Sequence, residues 1–223
     1  MKKGLKRLPL IALILVMTVS MLAGCGPKKP TPEDAQAYVK AVLDLMCTGD
    51  YDHSVNLVDV EEGSEAELRE NLVSEMMGEV GANEGLSEDT VSAFKDFVLS
   101  ALEKANYTVG DAVATDDGGY DVTVSIAPLQ VFTGVSEELD AVLEEKVATE
   151  ADVLMAMSEN EQKDYVMKIM IDLLNKKLAD PQYDPPEDVV IHYGLMDEEN
   201  NVYGCDEAAG EMIGAKLFSQ SGL

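Results

Sequence analysis

The amino-acid sequence predicts an α+β fold, with several helices packed on an antiparallel sheet made of two hairpins. Apolar residues recur at helical spacing in long blocks, and the period drops to two at Tyr120, Val122, Val124 and Ile126, where Asp121, Thr123 and Ser125 alternate with them. The blocks run helices, hairpin, helices, hairpin, which argues against the strict strand and helix alternation of a parallel sheet. Such alternation fits antiparallel strands with one side on helices and the other in water.

Thr31-Pro32-Glu33-Asp34 starts the first helix, with a capping hydroxyl, a proline in the first turn and acidic residues at the positive end of the dipole. Tyr38, Val39, Val42, Leu43, Leu45 and Met46 continue it to Gly49. A capping box at Ser64-Glu65-Ala66-Glu67 opens a second helix through Leu68, Leu72, Val73 and Met76, which fades among Gly78, Gly81 and Gly85. A third starts near Ser87, its stripe formed by Val91, Phe94, Val98, Leu102 and Ala105 and widened by Phe97 and Ala101.

The first hairpin turns at Asp116-Asp117-Gly118-Gly119, and its second strand is expected to run past Pro128 to Phe132. Helical spacing resumes from Ser136 to Val147, and a further capping box, Ser158-Glu159-Asn160-Glu161, opens the longest apolar stripe, from Tyr165 to Leu178. Pro181, Pro185 and Pro186 force a loop. Val189 to Tyr193 reads as a strand, Asp197 to Asn201 as a turn, Val202 to Cys205 as the return strand, and Asp206 to Phe218 as a short terminal helix.

The N-terminus has a different character. A basic patch from Met1 to Arg7 precedes an apolar run from Leu10 to Met17 and smaller residues up to Ala23, the layout of an export signal. The run is short of the roughly 20 apolar residues that a spanning helix needs. Leu22-Ala23-Gly24-Cys25 then resembles the lipobox of bacterial lipoproteins. That resemblance implies a diacylglyceryl group on the Cys25 sulfur and cleavage between Gly24 and Cys25. Two acyl chains hold a protein firmly where one holds it reversibly, at about 0.8 kcal/mol per buried methylene. The expected division is a signal peptide over 1–24, a proline-broken tether over 25–33 and a single extracytoplasmic domain over 34–223.

Residues 1–24 hold four of the 16 basic residues and none of the 43 acidic ones, so the remaining 199 residues carry a formal charge of −31. Nucleic acid is excluded as a partner, because binding phosphates needs cationic patches. The expected partners are the membrane, through the lipid anchor, and an unidentified protein, peptide or small ligand.

Candidate chemistry is sparse. His53 and His192 are too far apart in sequence for a local zinc motif, and His192 falls in a predicted strand where a structural role outweighs a ligand role. Neither a Gly-x-Ser-x-Gly elbow nor a Ser-x-x-Lys pair is present, and no glycine loop has phosphate-binding spacing, so no cofactor and no catalytic residue is assigned. The acidic stretches at Asp116, Asp117 and Asp121 and at Asp197, Glu198, Glu199 and Asn201 depart from a calcium loop and read as hairpin turns. Cys47 and Cys205 are candidates for a disulfide in an exported protein; the alternative is two small buried apolar residues. Methionines such as Met76, Met77, Met155 and Met170 line either an adaptable groove or an irregular core.

The layout as a whole is similar to small lipoproteins of Gram-positive bacteria of the cystatin-like or NTF2-like kind. The residues that carry this are the lipobox, Ala37-Tyr38-Val39-Lys40, Tyr107-Thr108-Val109-Gly110-Asp111 and Tyr120 to Val124. The resemblance implies an antiparallel sheet curled around a long helix and carries over no functional residue except Cys25. The expected function is a membrane-tethered, non-enzymatic binding or interaction domain. Its rivals are an envelope enzyme, which requires His53 or His192 to meet carboxylates in a cleft, and a structural part of an envelope complex, which requires an exposed apolar patch.

Overall fold

Thr31 opens the first helix with a reciprocal capping box: the Asp34 amide donates to its hydroxyl at 3.2 Å, and its own amide donates to the Asp34 carboxylate at 2.8 Å. The computed structural model describes residues 29–52, 63–71, 73, 85–199, 202–205 and 207–219. Within them run α1 (Pro32–Cys47), α2 (65–71), α3 (Glu88–Leu102), β1 (Asn106–Ala114), β2 (Tyr120–Ala127), α4 (Val135–Ala156), α5 (Glu159–Ala179), β3 (Glu187–Asp197), β4 (Val202–Cys205) and α6 (Glu207–Leu217). The expectations on Cys25, His53, Met76 and Met77 lie outside the described residues.

The two predicted hairpins join into one antiparallel sheet of order β1-β2-β3-β4. Their shared seam pairs Val122 with Ile191 and Val124 with Val189. Val122, Val124, Ile126 and Ile191 are fully buried on the inner face, each side chain contributing about 1.5–3 kcal/mol through removal from water. Both α1 and α6 pack on the sheet. The direction of α1 follows from two bonds: Gln36 Nε2 donates to the Gly110 carbonyl at 2.9 Å, and the Tyr107 hydroxyl donates to Asp44 Oδ1 at 2.7 Å. The helix therefore runs opposite to β1, from the β1–β2 turn toward the start of β1. Gln36 reaches a carbonyl within the irregularity between Val109 and Ala112, where the strand pairing shifts.

A helical layer completes the fold. Asp164 of α5 accepts the Ser87 amide at 2.8 Å and the Ser87 hydroxyl at 2.7 Å, and beyond the far end of α5 the Tyr183 hydroxyl donates to the Lys104 carbonyl at 2.8 Å. These contacts set α3 and α5 side by side and parallel. α4 folds back on α5 through Lys177 and Glu138 (2.8 Å), with a kink at Glu150. The chain has four phenylalanines, and all four form one cluster: Phe94 stacks on Phe97 at 5.8 Å, Phe97 meets Phe132 edge-on at 6.3 Å, and Phe132 meets Phe218 at 5.6 Å. That cluster ties α3 to the segments following β2 and α6.

Three boundaries differ from the sequence reading. β2 stops at Ala127 instead of reaching Phe132, because Pro128 has no amide to continue a ladder. Leu129 instead bridges Tyr183 on one side and Phe218 on the other. α4 continues to Ala156, well past Val147, since no proline or glycine interrupts it. β3 begins at Glu187, directly after Pro185-Pro186, and extends to Asp197.

Candidate functional site

The open face of the sheet presents Asp121, Thr123 and Ser125 from β2 opposite His192, Val190 and Asp188 from β3. Register decides this: with Val122 and Ile191 turned inward, Asp121 and His192 must point out. His192 lies between two carboxylates. Its Nδ1 is 2.9 Å from Asp121 Oδ1, and its Nε2 is 3.2 Å from Asp117 Oδ2 in the β1–β2 turn. Asp117 is itself held in place, its other oxygen accepting the Thr115 hydroxyl at 2.5 Å and the Gly119 amide at 3.1 Å. Those two bonds first, and the nearby His192 to a lesser degree, hold the Asp117 carboxyl below its ordinary value.

Two glycines make room for the ring. A Cβ on Gly119 would lie 2.7 Å from the Tyr193 carbonyl oxygen and 2.8 Å from His192 Cε1, and one on Gly194 would lie 2.7 Å from Nε2. A neutral imidazole can donate to one of the flanking carboxylates, and an imidazolium to both. Chemically this is a clasp that fastens the turn to β3. Both ring nitrogens face carboxylates, so neither is directed at a hydroxyl or thiol nucleophile. His192 thus meets carboxylates as the enzyme reading required, but on an open sheet face rather than in a cleft. The same face carries Val113 at 65% and Val190 at 50% exposure, two apolar points among polar neighbours.

At the other end of the sheet, Arg69 of α2 does what the sequence reading did not anticipate. Buried to 8% exposure, it donates from Nε to the Met46 carbonyl at 3.1 Å, from Nη2 to the Cys47 and Leu99 carbonyls at 2.7 and 2.8 Å, and from Nη1 to Glu103 at 3.2 Å. One guanidinium thereby caps the C-termini of both α1 and α3, whose last turns contain no basic residue of their own. The missing lysine or arginine in both last turns was the legible sign that a cation must come from elsewhere.

Cys47 is buried beside this cap; burial first, and Asp44 after it, push its thiol up to about 12 against the opposing pull of Arg69. Cys205 lies on β4 opposite Tyr193, near the phenols of Tyr193 and Tyr38. Tyr38 sits nine residues back along α1 from Cys47, about 13 Å at the helical rise, and no disulfide joins the two cysteines. The acidic turns serve as hairpin turns: Asp117 is engaged as described, and the Glu199 amide donates to Asp197 at 2.9 Å. Among the described residues no group of three or more His, Cys, Asp or Glu is arranged to hold a metal, and no helix is long and apolar enough to cross a membrane. Of the methionines, Met46 and Met167 are buried in the core, while Met155 on α4 is 73% exposed.

No protein-family model matches the chain, and no curated protein matches its sequence. The fold is similar to the crystal structure of a putative lipoprotein, YcdA, from Bacillus subtilis, with a TM-score of 0.54 and 12% identity over 84% of this chain and 56% of that one. At that identity the likeness is one of fold. The chain spans little more than half the length of that neighbour.

Proposed function

We propose that this chain is a lipid-anchored extracytoplasmic protein whose single α+β domain binds a protein, peptide or small ligand without catalysing a reaction. In this reading residues 1–24 are removed, Cys25 carries the acyl chains, and residues 25–33 connect it to the fold. One observation carries it, Leu22-Ala23-Gly24-Cys25 directly after a basic patch and a short apolar run. The fold likeness to a putative lipoprotein supports it. The helix α1 laid over one face of an antiparallel sheet supports a cystatin-like arrangement. The binding surface proposed is the open sheet face, where Thr123, Ser125, Asp121 and Asp188 offer hydrogen bonds around Val190. Its polar groups are fixed on strands rather than on loops, which lowers the entropy lost on binding.

The test is expression in a lipoprotein-processing bacterium. The parent chain is expected in the membrane fraction with the mass of a diacylated chain beginning at Cys25, and the Cys25→Ala chain without that mass. A bare thiol or an intact leader on the membrane-bound parent overturns the anchor. The binding face is tested separately: Val190→Glu is expected to remove partners captured by the parent while leaving membrane attachment unchanged.

A further inference from the structure

The start of the described chain is fastened to one end of the sheet. The Tyr120 hydroxyl donates to the Pro30 carbonyl at 2.8 Å, and Lys29 Nζ comes within 3.9 Å of where a Cβ on Gly118 would lie. Both contacts are with the β1–β2 hairpin at its turn. The β3–β4 turn lies at the same end, because Tyr120 pairs with Tyr193 and β3 continues beyond that pair to Asp197. The opposite end holds Tyr107, Ile126, Glu187 and, through the Tyr183 bond, Lys104.

From this we infer that the pole formed by the β1–β2 and β3–β4 turns faces the bilayer, and that the pole at Lys104 and Glu187 faces away. The inference rests on the lipid anchor proposed above and adds an orientation to it. Three residues, Gly26 to Lys28, lie between Cys25 and Lys29, four chain steps in all, and a chain reaches at most about 3.5 Å per residue. The turn pole is thereby confined to within roughly 14–18 Å of the acylated residue, whereas the far pole lies a further 26 Å or so along β3 at about 3.3 Å per residue.

The surface chemistry of this pole sets how closely it sits. Leu195 and Met196 are 44% and 48% exposed near the end of β3 and can rest against lipid headgroups, while Asp116, Asp117, Asp197, Glu198 and Glu199 resist deeper entry. The occupant is a lipid surface approached side-on by carboxylates, with Lys29 of the tether as a nearby cation. The open sheet face then stands roughly along the membrane normal and remains reachable by a partner from the side.

The absence of tryptophan allows a single reporter to be introduced. Leu195→Trp and Lys104→Trp chains are prepared in two ways: as protein processed by a lipoprotein-processing host and reconstituted in phosphatidylcholine vesicles with a dansyl headgroup lipid, and as chains beginning at Cys25 coupled through that thiol to a maleimide lipid in a Cys205→Ser background. Energy transfer to the headgroups is expected to be severalfold greater from Leu195→Trp than from Lys104→Trp in both preparations. Equal transfer, or greater transfer from Lys104→Trp, in the maleimide-coupled chains overturns the orientation. Failure of the processed chain to enter vesicles overturns the anchor instead, and the coupled chains still report the orientation.

Discussion

Arg69 and His192 each sit among acceptors, one at either pole of the sheet, and they differ in what surrounds them. Arg69 is buried and faces three backbone carbonyls at the ends of α1 and α3, of which that of Leu99 also accepts the Glu103 amide at 3.2 Å. His192 is 43% exposed in its side chain and faces two carboxylates that water also solvates. The charges in the second cluster are greater, yet the first should matter more to stability, because an acceptor stranded without water costs more than a screened ion pair returns. Solvent access, rather than the number of charges, sets the ranking.

The largest test of that ranking is Arg69→Met. Removing the guanidinium from the Met46 and Cys47 carbonyls should cost about 3 kcal/mol at roughly 1–3 kcal/mol per buried acceptor, read as a lower urea midpoint with unchanged slope. Arg69→Lys should fall between, since an ammonium cannot span both helix ends. A loss no larger than that of His192→Gln would break the comparison.

Asp164 performs the reverse task at a helix N-terminus and should rank second. Burial works against its charge, but hydrogen bonds from Lys168, the Ser87 amide, Thr90 and the Ser87 hydroxyl prevail and hold it well below the usual carboxylate range. A carboxyl lowered on folding contributes fully above its unfolded value, near 3.8, and loses that contribution as pH falls through the folded value. Asp164→Asn should therefore cost about 1 kcal/mol at neutral pH and flatten the acid limb of the stability profile. An unchanged acid limb would show that Asp164 does not dock α3 on α5.

Thiol reactivity sharpens the comparison further. With its pKa pushed up to about 12 by burial, Cys47 should resist alkylation at pH 8 in the folded protein while the half-buried Cys205 reacts first. Arg69→Met should speed labelling of Cys47 more than that of Cys205, as measured by peptide mass; His192→Gln should change neither.

The smallest effect belongs to His192→Gln, expected below about 1 kcal/mol and diminished by salt. Its signature is local: faster amide exchange at Gly118 and Gly119, without a shift in global unfolding.

Much of this molecule was legible before any coordinates. Thr31, Ser158 and the alternation from Tyr120 to Ile126 announced their elements because caps and strand period are set by residues within a few positions of one another. The Ser87 cap was legible for the same reason, but its docking onto Asp164 was not, since 77 residues separate the two. His192 was singled out by type; its clasp required knowing that β2 pairs with β3 in a register that sets Asp121 beside it.

The sequence alone determined the α+β order, the helix starts, the acidic surface and, at Leu22 to Cys25, the motif that suggests an anchor. Only the tertiary structure decided that one arginine caps two helices, that the four phenylalanines meet, and that Lys29 and Pro30 lie against the turn of the β1–β2 hairpin. The reason is range: hydrogen-bond caps and hydrophobic periods act over one to four residues, whereas these contacts depend on which surfaces burial brings together.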